Sequence, residues 1–116
     1  MNLENEYWIF KEVLKKEMED LKHFNNLDIT KMSEEQLNAR NRGLESSKKA
    51  VNETTKILEG IKIELYDYIY NDGNVSKETI INLSSDLEYD LLFTPNIDDY
   101  DVEVLNEKIK YLESLI

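Results

Sequence analysis

Residues 33–71, SEEQLNARNRGLESSKKAVNETTKILEGIKIELYDYIYN, decide the fold of this chain. The stretch opens on a capping box. Ser33 can accept from the amide three residues on while Gln36 reaches back to the amide of Ser33, which satisfies two helix-end donors. Met32 and Leu37 flank that start as a hydrophobic staple. From there Leu37, Leu44, Val51, Leu58 and Leu65 recur at seven-residue intervals, with Arg40, Ser47, Thr54, Ile61 and Tyr68 three places after each. This is a heptad seam on one long helix. Its second set of positions turns from polar to apolar along the chain, so packing is expected to tighten toward Tyr68.

A helix of that length spans about 58 Å, whereas a compact globule of this size is only about 35 Å across. Either Gly43 or Gly60 interrupts the helix, at about 1 kcal/mol each relative to alanine, or the molecule is elongated. The heptad register passes through both glycines without a slip, which favours the elongated form. Self-association along Leu37, Leu44, Val51, Leu58, Ile61 and Leu65 is then expected, giving a homodimer whose second copy covers the overhang.

Outward from this segment the same helical logic repeats. Leu3, Tyr7, Phe10, Leu14, Met18 and Leu21 step by three and four, an amphipathic helix over 3–24 with Trp8, Ile9 and Val13 widening its stripe. Lys11, Lys15 and Lys16 interleave with Glu12, Glu17 and Glu19 on its remaining surface, and Asn25-Asn26-Leu27-Asp28 breaks the pattern. After the long helix, Asn71-Asp72-Gly73-Asn74 is a turn. Ser76 then caps a helix over 76–93 with the stripe Ile80, Leu83, Leu87 and Leu91, which stops before Pro95. Asp98 caps the last helix, 98–116, whose stripe is Val102, Leu105, Ile109, Leu112 and Ile116; Asp99 and Asp101 complement its positive end. No run alternates as a strand does. The expected fold is all-α: an elongated helical bundle or helical hairpin of about four helices in a single domain, 1–116, with one long heptad-patterned, coiled-coil-like helix.

With 34% charged and 41% hydrophobic residues the chain is polar for a globule yet too apolar for disorder. It contains no cysteine and only three glycines, so disulfides and thiolate metal sites are excluded. The first residues lack the basic start and apolar core of a signal peptide, and no run is apolar enough to span a membrane, so a cytoplasmic location is expected. The formal net charge is -11, and residues 71–116 hold eleven acids against three lysines, a sum of -8. Such a field repels nucleic acid and anionic lipid and favours basic protein surfaces.

Chemistry-bearing motifs are sparse. His23 is the one histidine, on a helix surface beside Glu19 and Asp20, which rules out a two-histidine metal site within one chain. Ser46 and Lys49 match a Ser-x-x-Lys pattern only formally, without its partner motifs. No phosphate-cradling glycine loop or nucleophile elbow is present. Tyr68 and Tyr70 stand where a calcium loop leading to Asp72-Gly73 would need carboxylates. The run Asp98 to Glu103 has the acids of a hard-cation site, but helix capping already accounts for Asp98, Asp99 and Asp101. Catalytic, cofactor and metal residues are therefore expected to be none.

Surfaces remain. Asp86, Glu88, Asp90, Asp98, Asp99, Asp101 and Glu103, with Tyr89 and Tyr100 among them, form either a solvated face or a partner-binding face that imitates the phosphates of nucleic acid, the tyrosines acting as anchors. Tyr68 is expected in the core, with Tyr66 and Tyr70 partly buried beside it. Arg40, Arg42, Lys48 and Lys49 are expected to pair with acids. The leading reading is a non-catalytic acidic module that binds a protein with a basic, nucleic-acid-binding surface, as phage anti-defence and nucleic-acid-mimic inhibitors do. A coiled-coil adaptor or chaperone-like protein is the second reading, and an oligomeric binder of a nucleotide or other small ligand the third. Steep salt dependence of partner binding separates the first from the second.

Overall fold

The computed structural model describes residues 2–116. Four helices follow one another: α1 Leu3–Asn25, α2 Glu34–Tyr70, α3 Lys77–Phe93 and α4 Asp99–Ser114, with no strand among the described residues. The fold is all-α. The expected capping chemistry is present at each later start. The Ser33 amide donates to Gln36 Oε1 at 2.8 Å and the Gln36 amide to Ser33 Oγ at 3.2 Å, so the capping box is closed in both directions. Ser76 Oγ accepts from the Thr79 amide at 3.2 Å, and Asp98 Oδ1 from the Asp101 amide at 2.8 Å. At α1 the cap is Asn2, whose Oδ1 accepts from the Glu4 amide at 2.7 Å.

Helix α2 is unbroken through both Gly43 and Gly60. The two glycines have different reasons to be there. A β-carbon on Gly43 would lie 2.5 Å from Phe24 Cε1, so the missing side chain lets the aromatic ring of α1 approach the backbone of α2. Around Gly60 there is nothing within 4 Å. Gly60→Ala is therefore expected to raise stability by about 0.5–1 kcal/mol, by restricting the unfolded chain and favouring helix. Gly43→Ala gains the same propensity but must displace Phe24, so urea midpoints of the two variants should move apart.

The chain clusters into two compact units, one running to Ile61 and one from Lys62 to Ile116, so the boundary falls inside α2. In the first, α1 and the early part of α2 pack antiparallel. Arg40 Nε donates to the Phe24 carbonyl at 3.2 Å near one end, and Thr54 Oγ1 donates to Glu17 Oε1 at 2.8 Å further along. Glu17 therefore leaves the solvated face that its neighbours on α1 occupy. Its second carboxylate oxygen is buried without a hydrogen-bond partner. The expected acid partner of Arg40 is likewise replaced: the guanidinium satisfies a carbonyl in the last turn of α1, where the helix dipole favours a cation. Arg42, Lys48 and Lys49 are exposed.

In the second unit, the end of α2 runs antiparallel to α3 and parallel to α4. Lys62 meets Asp90, while Tyr66 and Tyr70 meet Tyr111. Leu65, Ile69, Leu83, Leu87, Ile109 and Leu112 are its buried apolar residues. The expectation of a core Tyr68 fails here: Tyr68 is 45% exposed and Ile69 only 3%. A straight helix falls behind a strict seven-residue repeat by about 20° per heptad. Over the four heptads from Leu37 to Leu65 that drift carries the inward face on by roughly one position, from Tyr68 to Ile69. Packing does tighten along α2 as expected, through Leu58, Ile61 and Leu65, all buried within the single chain, after the half-buried Leu37, Leu44 and Val51. A second copy meeting that seam would have to displace the chain's own packing at three of its six residues.

Candidate functional site

Helices α3 and α4 pack against each other as a hairpin joined by Thr94–Asp98. The connection is built locally. The Thr94 amide and hydroxyl both donate to the Asp90 carbonyl. Proline at position 95 cannot continue the helix. Asn96 takes a positive φ of 54°, which asparagine tolerates better than most residues. Asp98 then starts α4. This short loop brings the last turn of α3 and the first turn of α4 to one end of the hairpin.

That end carries most of the predicted partner-binding residues. Glu88, Asp98, Asp99, Asp101 and Glu103 are exposed, as are both tyrosines among them, whereas Asp86 is half-buried. Asp98 spends one carboxylate oxygen on its cap and keeps its charge at the surface. Asp90 is different. Its Oδ2 lies 3.3 Å from Nζ of the buried Lys62, so this carboxylate, predicted to meet a partner, belongs instead to the packing of α3 on α2. Burying an ammonium without a counter-charge is strongly unfavourable, which explains why Asp90 is drawn inward.

Two residues at the same end escaped the sequence reading, Leu92 and Phe93. They lie off the Ile80, Leu83, Leu87, Leu91 stripe and one turn beyond Tyr89, and that offset was the available signal. Tyr89 is 63%, Leu92 74%, Phe93 65% and Tyr100 73% exposed. The Tyr89 and Phe93 rings stack at a tilt, 4.6 Å between centroids.

A second aromatic group closes the opposite end of the unit. Tyr66 and Tyr70 of α2 stack at 6.0 Å, and Tyr111 of α4 approaches them at 6.0 and 5.1 Å. Lys108 Nζ sits 5.0 Å from the centre of the Tyr66 ring, a cation on an aromatic face. Burial, then the neighbouring Tyr70, Tyr111, Asp67 and Glu107, push the Tyr66 phenol above the ordinary tyrosine range. Tyr66 and Tyr111 are half-buried packing residues, whereas Tyr70, expected to be partly buried, is 59% exposed.

Among the described residues no three histidines, cysteines or carboxylates converge as metal ligands. Among the same residues no helix is long and apolar enough to cross a membrane. What the unit offers is charge: from Lys62 to Ile116 the sequence holds thirteen acids against four lysines, a balance of -9, leaving -2 of the total -11 for the rest. Comparison with protein-family models, curated proteins and solved structures finds no match.

Proposed function

We propose that this chain is a non-catalytic binding protein, working in the cytoplasm, that covers a basic protein surface with its acidic C-terminal unit and so inhibits or regulates a nucleic-acid-binding partner. The observation that carries this reading is the concentration of charge. A balance of -9 on one compact unit, with Glu88, Asp98, Asp99, Asp101 and Glu103 exposed at one end of a hairpin, sets up a field that attracts cationic surfaces and repels phosphate. Hairpin carboxylates held by helix geometry are better preorganised for such contact than acids on a flexible tail.

The test is competition. A partner captured from the native cell at low salt, once purified, should lose bound duplex DNA as this chain is added, and the effect should fade steeply as salt rises. Replacing Asp98, Asp99 and Asp101 together by lysine should weaken partner binding by at least about tenfold, or 1.4 kcal/mol. Unchanged binding of that triple variant at low salt would rule the reading out.

A further inference from the structure

We propose that the exposed end of the α3–α4 hairpin, Tyr89, Leu92 and Phe93 of α3 with Tyr100 of α4, is the apolar centre of a docking surface for a cationic amphipathic helix of a protein partner. The proposal rests on the acidic-binding reading above and adds to it a place and a kind of partner.

Positions 89, 92 and 93 are three and four apart, so they share one face of α3. That face presents a ridge of large apolar side chains, 63–74% exposed. Apolar groups this exposed and this close together mark contact surfaces on soluble proteins. Residues 78–107 contain nine carboxylates and no lysine, arginine or histidine, and of these Asp90 is turned inward, to Lys62. The pairing of an apolar ridge with the exposed acids of the same hairpin end selects the occupant. A polycation without apolar side chains would leave the ridge wet. A neutral apolar segment would strip water from carboxylates with nothing to replace it. Anionic lipid is repelled by the same field. A helix with leucine or phenylalanine along one face, flanked by lysine and arginine, satisfies both parts: its apolar stripe packs on the α3 ridge as one helix packs on another. Its cations meet Glu88, Asp98, Asp99, Asp101 and Glu103, and can also rest on the faces of Tyr89 and Tyr100.

The experiment uses the full chain and a fluorescent synthetic helix with leucine on one face and arginine on the other. Two companion peptides replace leucine by serine or arginine by glutamine. The leucine–arginine peptide is expected to bind, and each companion to bind at least about tenfold more weakly. Leu92→Ser and Phe93→Ser should lose a similar factor while keeping the wild-type melting temperature. Ile63→Ser, an exposed apolar residue of α2, should change nothing. If the Leu92 and Phe93 variants bind like wild type while charge reversal at Asp98, Asp99 and Asp101 abolishes binding, the docking surface is wrong and the acidic reading stands. If neither change matters, both are wrong. Preferential binding to phosphatidylglycerol vesicles would overturn the proposal in favour of a lipid surface.

Discussion

Leu83→Ala is expected to lower the stability of the folded chain by about 3 kcal/mol, within the range for truncating a leucine in a packed core. Leu83 is fully enclosed at the middle of α3, and Leu112 of α4 is equally enclosed in the same unit. Removing three carbons there loses their transfer energy and leaves a cavity that two helices held by a short loop cannot collapse to fill. Against a total of about 5–15 kcal/mol for a domain, such a loss is large. Urea unfolding followed by circular dichroism reads it as a shift of midpoint with unchanged slope. Leu92→Ala on the same helix is the control. With its side chain in water, it should fall within about 0.5 kcal/mol of wild type. Equal losses at the two positions would mean that α3 is rotated from the orientation described.

Gly73→Ala is the second large effect, expected to cost about 2–3 kcal/mol through a steric clash of a kind that ranks among the more damaging single changes. The end of α2 is a Schellman motif: the Gly73 amide donates to the Tyr68 carbonyl at 2.7 Å and the Asp72 amide to the Ile69 carbonyl at 3.1 Å. The left-handed residue is Asp72, with φ 66°, and not the glycine. Gly73 is needed for space. A β-carbon there would run into the Tyr68 carbonyl oxygen and would stand 2.5 Å from the Tyr68 ring carbons Cδ2 and Cε2. The ring can swing aside, but the oxygen cannot without giving up the bond that ends the helix. Asp72→Gly should act in the opposite sense, relieving a left-handed aspartate. A thermal melt in which Gly73→Ala matched wild type would show that α2 ends differently.

The starts of α2, α3 and α4 and the stop of α3 could be read from the sequence because they are local chemistry, whereas α4 ends at Ser114 and leaves Ile116, assigned to its stripe, exposed. Ser33 with Gln36, Ser76, Asp98 and Pro95 act within four residues of themselves, and the observed bonds are the ones their side chains imply. Tyr68 could not be placed by the same means. A strict heptad count and a straight helix agree for a turn or two and then part. Glu17, Arg40, Lys62 and Asp90 were harder still, since each looks like a surface charge until another helix arrives beside it. At the candidate site the acids and tyrosines were visible as composition. Leu92 and Phe93 were not, because an apolar residue next to a core stripe is assumed to share the core until packing shows otherwise.

The close approach of Phe24 to Gly43 has a consequence for alignment. Helices α1 and α2 could in principle slide past each other by a turn and still match apolar side to apolar side. One turn either way would set the Phe24 ring against Ala39 or Ser47, each with a β-carbon where the ring now lies. The same slide would part Glu17 from Thr54 and leave a half-buried carboxylate without its donor. One glycine and one hydroxyl thus act as a notch and a latch, and the pair has a single stable setting.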